Sequence, residues 1–436
     1  GITAIAVLLN ISANHPQITY YLIICVMIVW AGYSWKSIKE GETNHIIKAS
    51  CILLLAAVLG AAPNYSRLKT NIVHGEATQR GGGSEGLDKE YATRWSYGID
   101  ESLTILIPNY KGGASASNVG ENSVLYKEMI KQRVPRAQAR QFANNAPTYF
   151  GTQPNTSGPV YFGAIVFMLA ILGFLLTKHP LRWAALVLIL LSFFMAWGKN
   201  FSFFTDILFN NLPMYNKFRA PSMALVIANL AIPILAALGL DKLLQLKKSK
   251  LDYLKPLKLS AVITLGLIAI FGLVGSFIGN YEAAIDEQIA QGQQWLISAF
   301  QDQRAQMVRL DSIRSLIFVL LALIPLWMYF KNKMKKSYVF ISIGALIFFD
   351  VFGVSKRYLN NDNFITERKE NQFFNPSPAD QAINQDSAKP FRVFNTSVNS
   401  FNDATTSYHH HSVGGYSSAK LDRYQNVIEQ HLTQGN

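Results

Sequence analysis

The chain has 436 residues, half of them hydrophobic and only 15% charged, with a net charge of +13. A basic balance of that size invites a nucleic-acid partner. Here the Lys and Arg sit in short links between uninterrupted apolar blocks, which is the pattern of membrane topology and argues for a lipid bilayer and against nucleic acid.

Residues 1–10 read as the end of an apolar helix. The chain opens in mid-pattern, without Met or a signal-peptide layout, so an internal piece of a longer protein is expected. Apolar runs of about the length a helix needs to cross a bilayer follow at 18–35 and 47–62. Cys25 and Cys51 fall inside these runs, which indicates packing and neither a disulfide framework nor a metal site. The polar stretch 63–159 is too long for an ordinary connection. It holds RGGGSEG from Arg80, the aromatic stretch YATRWSYGIDESLTILIPNYKGG from Tyr91, and a helical pattern in SVLYKEMIKQRVPRAQARQFA.

Further spans are expected at 160–177, 181–197, 222–240 and 260–279, then at 313–330 and 338–354. The turn LPMYNKFRAPS, Leu212 to Ser222, separates the fourth from the fifth. A stretch from 281 to 312 carries Ile285, Ile289, Leu296, Phe300 and Met307 at helical spacing and predicts an amphipathic helix lying on the membrane or the protein. The tail contains a strand-like FRVFN, a turn-rich TSYHHHSVGGY and a final helix. Four segments result: membrane helices in 1–62, a large loop in 63–159, a membrane core of about six helices in 160–354, and the start of a further domain in 355–436.

Sides follow from alternation. The links after spans one, three, five and seven share one side and hold fourteen Lys and Arg, including Lys247, Lys248 and Lys250. The positive-inside rule makes that side cytoplasmic. The long loop, the LPMYNKFRAPS turn and the C-terminal tail then face outward.

Cations in short outward links run against that bias, which singles out Lys217 and Arg219, with Lys199 at the outer end of span four. Arg offers a planar fork of donors matched to phosphate oxygens, and Lys a compact charge. Such a cluster suits the phosphate of a lipid-linked substrate; it equally suits snorkelling to lipid headgroups or pairing with Asp206. Arg80, before three glycines, either helps present backbone N–H groups to an anion or belongs to a flexible loop.

Asp100 and Glu101 offer a general base for an acceptor hydroxyl, or cap a helix beginning at Ser102, the commoner role. Trp95 and Tyr97 beside them can stack on sugar rings or anchor at the interface. His15 lies at the mouth of the first span, where an Asn-His-Pro turn is expected to start the helix. His409, His410 and His411 are consecutive and cannot all reach one metal from a strand. Walker and HExxH motifs are absent from the sequence.

HPQITYY, GLDKEYATRWSYGIDESLTILIPNYKGG, YFGTQPNTSGPVYFGA, LLSFFMAWGKN, LPMYNKFRAPSM and FNTSVNSFNDATTSYHHHSVGGY together resemble the YfhO family of bacterial membrane proteins. The resemblance covers nearly the whole chain in order. It implies an all-α polytopic GT-C-like fold of about eight transmembrane helices in the bacterial cytoplasmic (inner) membrane. An extracytoplasmic loop and the start of an extracytoplasmic α/β domain would complete it.

The implied activity is glycosyl transfer from a polyprenyl-phosphate-linked sugar to a cell-envelope polymer or glycan acceptor. Lys217, Arg219, Lys199 and Arg80 would hold the donor phosphate, Glu101 or Asp100 would orient the acceptor, and His15, Trp95 and Tyr97 would line the substrate site. GT-C enzymes place their principal catalytic acid in the first outward loop, which would precede Gly1. Some of them use a divalent metal ion, though no residues here indicate one. The alternatives are a lipid-linked-sugar transporter, against which the shortage of charge within the spans weighs, and an envelope scaffold.

Overall fold

Apolar runs bounded by Pro, Gly and Lys become helices in the computed structural model, which describes residues 1–81, 87–246, 254–388, 390–417 and 419–433. The chain divides into two units, one of Gly1–Asn64 with Asp88–Tyr358, the other of Tyr65–Leu87 with Leu359–Asn436. The opening part of the expected long loop therefore belongs with the C-terminal tail.

The first unit begins with α1 (Ile2–Ser12), α2 (Pro16–Lys39) and α3 (Thr43–Ala61). His15 starts α2 as expected: its ring nitrogen accepts the Ile18 N–H at 3.3 Å, and Pro16, lacking a donor, takes the first helical position. Lys36 and Lys39 close the last turn, where cations complement the carbonyl end.

In the second unit, α4 (Tyr65–Gly75) is followed by backbone pairing of 77–79 with 420–422. Back in the first unit, α5 (Lys89–Thr93), α6 (Val124–Lys131) and α7 (Arg136–Ala143) lie in the segment between the second and third expected spans.

The bundle continues with α8 (Ala164–Leu176), α9 (Leu181–Trp197), α10 (Ser202–Asn211) and α11 (Leu225–Gln245). Next, α12 (Leu254–Leu267) runs through a π-helical stretch, Ile268–Val274, into α13 (Gly275–Ile278). Then come α14 (Asp286–Ala290), α15 (Gln294–Phe330) and α16 (Lys336–Ser355). Among the described residues seven helices are long and apolar enough to cross a membrane, and no strand occurs, only isolated bridges. Outward-facing Ile, Leu, Val and Phe line them, as a lipid solvent requires. Fold and surface together define an all-helical, multi-pass membrane protein.

Two expected elements differ. The third span shrinks to α8, 13 residues or about 20 Å, against a hydrocarbon thickness of about 30 Å. Gly163, at φ +99°, ends an extended approach and delays the helix. Nearly every residue of α8 from Ala164 to Gly173 is buried, so it is the central post of the bundle. Gly173 and Gly239 let α8 and α11 touch: a Cβ on Gly173 would run into the Leu235 carbonyl, and one on Gly239 into Gly173 itself.

The helix expected at 281–312 does pack against the protein, with Leu296 and Phe300 buried beside α6 and α7, but it is not a separate element. Its residues from Gln294 onward join the seventh span in α15, one rod of 37 residues, about 55 Å long. The hydrocarbon accommodates only its uncharged C-terminal part, and the N-terminal part, with Arg304, Arg309 and Asp311, projects beyond it.

Residues 88–163 pack on one end of this bundle. Leu106 and Ile107 are buried there, Ser315 donates to the Leu106 carbonyl at 2.7 Å, and the Asn109 N–H donates to Asp311 at 3.0 Å. Arg357 grips Asp311 with two bonds of 2.7 Å, while Asp350 receives Tyr161 and Arg314. Farther out, α6 and α7 bury Leu125, Met129, Ala139 and Ala143 against Leu296, Ala299 and Phe300. Tyr33 of α2 meets the ring of His179 in the link after α8, and Asp241 of α11 meets Lys336 at the start of α16, 3.3 Å away. Lys247, Lys248 and Lys250 lie outside the described residues.

The second unit adds α17 (Glu367–Phe373), α18 (Pro378–Gln385) and α19 (Asp422–Val427). The strand expected at FRVFN is reduced to a single bridge, Val393 with Ser412. Only two backbone bonds join them, too few to form a ladder. His410 bonds Asp380 at 2.8 Å.

Candidate functional site

The LPMYNKFRAPS turn is held in a conformation that its residues do not choose by themselves. Met214 and Ala220 both adopt left-handed backbone, at φ 64° and 56°, which costs a residue with a Cβ and persists only where neighbours impose it. The neighbours are identifiable. The Ala220 N–H donates to the Ala92 carbonyl at 3.1 Å, the Ser222 N–H to Trp95 at 3.2 Å, and Gln17 of α2 donates to the Arg219 carbonyl at 2.9 Å.

The same aromatic stretch clasps the end of α9. Tyr97 N–H donates to the Ala196 carbonyl at 2.8 Å, Lys199 N–H to Ser96 Oγ at 2.9 Å, and Asn200 to the Tyr97 carbonyl at 2.8 Å. Gly198 sits at φ +47° where a Cβ would strike Ser96 and Pro221. Residues 91–101 thus form a belt between the two basic turns.

Three of the four expected phosphate ligands therefore share this end of the first unit. Lys199 and Lys217 have no counter-charge among the described residues, and Asp206, their possible partner, is taken by Lys89. Arg219 lies over the Tyr91 ring, 5.8 Å from its centroid, and bonds the Tyr91 hydroxyl. Arg80 belongs to the second unit, where its N–H meets Thr78 at 3.3 Å, and the glycines after Gly81 lie outside the described residues.

The two acids separate. They occupy the first turn of a 3₁₀ helix, Asp100–Ile105, which starts two residues before the expected Ser102. Asp100 has a side chain 59% exposed and pairs with Lys111 at 2.7 Å. Glu101 is 4% exposed; its carboxyl accepts from Gly98 N–H at 3.0 Å, Tyr149 at 3.0 Å and Gln153 at 3.1 Å. Burial pushes this carboxyl above the usual range, against the pull of those donors. Glu101 accordingly ties the belt to residues 149–153, whereas Asp100 faces outward.

Tyr97 is buried, bonded to Thr104, and its hydroxyl is pushed well up by burial, so it packs rather than presents a stacking face. Trp95 is half-buried, with its indole N–H toward Asn155 at 3.4 Å and Arg94 5.5 Å from the ring centroid. His15 is exposed and engaged in its cap. The sequence does not single out Tyr91, Tyr149, Gln153 and Asn200, whose partners lie 48 or more residues away, nor Lys111, which meets Asp100 across the 3₁₀ turn.

The structure defines the class as a polytopic helical membrane protein with a basic, aromatic-belted site at one end. No protein-family model, no curated protein and no solved structure matches the chain.

Proposed function

We propose that this is a GT-C-like membrane glycosyltransferase of the kind the YfhO resemblance implies, transferring a sugar from a polyprenyl-phosphate donor to an envelope acceptor on the outer face of the bacterial cytoplasmic membrane. The observation that carries this reading is the convergence of Lys199, Lys217 and Arg219 around the 91–101 belt at the end of an apolar bundle. Neither lysine has a carboxylate partner among the described residues, and Lys199 is exposed and Lys217 half-buried, so both ammonium groups are open to an anion. A lipid phosphate supplies one, and its tail finds the apolar helix surfaces.

In this reading Lys199 and Lys217 act as point charges on the donor phosphate, and the Arg219 guanidinium, steadied by Tyr91, adds planar donors. Asp100, accessible and held by Lys111, orients the acceptor hydroxyl. Glu101 is a positioning residue. Asp350 lies within the last two turns of α16 and is already matched by Arg314 and Tyr161, an arrangement that favours structure over a midplane transport relay.

The test is release of polyprenyl phosphate from a labelled lipid-phosphate sugar by purified protein with acceptor. Lys217→Ala and Arg219→Ala each remove a charge-assisted contact and are expected to cut release about 10- to 100-fold. Unchanged turnover in both removes the phosphate assignment. Label crossing vesicles without cleavage replaces the transferase with a carrier.

A further inference from the structure

A second concave site lies in the first unit, away from the basic turns. It is a groove of about 650 Å³ lined by Gln138, Gln141, Phe142, Asn145, Ile285 and Ile289, among others, a volume within the range of small-ligand sites. Helix α7 explains it. Ala139 and Ala143 are fully buried against the Leu125–Phe300 core. Gln138, Gln141 and Phe142 share the other face of α7 at i, i+3, i+4 spacing, and Asn145 follows in the turn just past its end. Ile285, 48% exposed, and Ile289 form the far wall.

Two properties of the lining specify an occupant. The side-chain amides of Gln138, Gln141 and Asn145 have no hydrogen-bond partner among the described residues, so they offer both donors and acceptors. None of the residues lining the groove carries a charge. The floor is apolar and firmly placed: the Phe142 ring stacks on Phe300 with centroids 6.0 Å apart and planes within 9°. Uncommitted amides beside a fixed aromatic and two branched aliphatics match a ligand with a C–H face and many neutral hydroxyls.

We propose that this groove binds an uncharged saccharide chain and, given the transferase reading above, holds the acceptor glycan. The role as acceptor rests on that reading; the binding itself does not. A charged polymer finds no counter-charge in this lining, so the preference runs toward neutral sugars.

The experiment measures binding of maltotriose, cellotriose and chitotriose, with trigalacturonic acid as the anionic counter-probe, to the detergent-solubilised full chain by saturation-transfer NMR. At least one neutral trisaccharide is expected to bind, and the exposed double variant Gln141→Ala/Asn145→Ala to weaken it about tenfold or more. Lys217→Ala is expected to leave it unchanged, which separates a failure of the groove from a failure of the phosphate site. No binding of any neutral trisaccharide, stronger binding of the acidic probe, or equal binding by the double variant overturns the proposal.

Discussion

Arg304 is the side chain whose loss is expected to cost most outside the membrane. It is fully buried, and its two terminal nitrogens make four bonds: to Asp286 at 2.6 and 2.7 Å, and to the Tyr281 and Pro147 carbonyls at 2.8 Å each. The rings of Phe150 and Phe300 stand 5.8 Å from it. One guanidinium therefore binds the 147–150 segment, the 281–286 segment and α15 together. Arg304→Ala strands a buried carboxylate and two buried carbonyls, a loss of about 3–5 kcal/mol. At about 1.4 kcal/mol per decade, local opening becomes about 10²- to 10³-fold more frequent. Amide exchange of residues 283–290 in the solubilised protein reads this directly. A double variant, Asp286→Leu/Arg304→Met, is expected to recover part of the protection, because no charge is left unpaired. It will not recover all, since the Ala283 N–H also donates to Asp286 at 2.8 Å. Wild-type exchange in Arg304→Ala, or a double variant no better protected than the single one, would refute the reasoning.

Three further outcomes follow from other sites. Burial raises the Glu101 carboxyl above its ordinary value of about 4.3, so the folded chain holds that proton more tightly than the unfolded one. Its contribution is complete below the ordinary value and is lost as pH rises through the raised one; Glu101→Gln should flatten the stability–pH curve across that window, and an unaltered slope counts against the assignment. Gly173→Val drives a side chain into the Leu235 backbone and is expected to cost about 1–3 kcal/mol or more, seen as an earlier thermal transition in detergent; an unchanged transition contradicts the tight α8–α11 contact. With Cys25 and Cys51 replaced by Ser, Asn118→Cys should react with an impermeant maleimide on intact cells and Lys333→Cys should not, and the reverse pattern inverts the proposed orientation.

Spacing and punctuation made most of the membrane part legible. Long apolar runs between lysine-rich links became helices, and the Asn-His-Pro turn became the cap of α2. What eluded the sequence depended on packing. The apolar run 160–177 reads as a span, yet Tyr161 and Gly163 are recruited by α16, and only 13 residues remain helical. The polar amphipathic stretch before 313 reads as a separate surface helix because its polarity changes, but polarity does not break a helix; only a capping or breaking residue does, and between Gln294 and Phe330 even Pro325 is accommodated. The site was half legible. Lys199, Lys217 and Arg219 stand out by charge against topology. Their shared belt rests on bonds such as Ser222 to Trp95, joining residues more than a hundred positions apart. The burial of Glu101 rests on Tyr149 and Gln153, 48 and 52 positions downstream.

Charge is deployed in two ways at this end of the protein, and the contrast bears on function. Arg304, Arg314 and Arg357 are each matched by a carboxylate that is itself buried: Asp286, Asp350 and Asp311. Those pairs join distant segments, and their partners are fixed by geometry as well as by sign. Lys199 and Lys217 sit on strained or positive-φ turns, framed by backbone bonds that orient the chain, and their ammonium groups meet no carboxylate among the described residues. Asp206, the acid best placed in sequence to neutralise them, is drawn off by Lys89. That contrast, between arginines paired to buried carboxylates and two lysines held at the surface without one, is what supports the proposal that an anion from outside the chain visits Lys199 and Lys217.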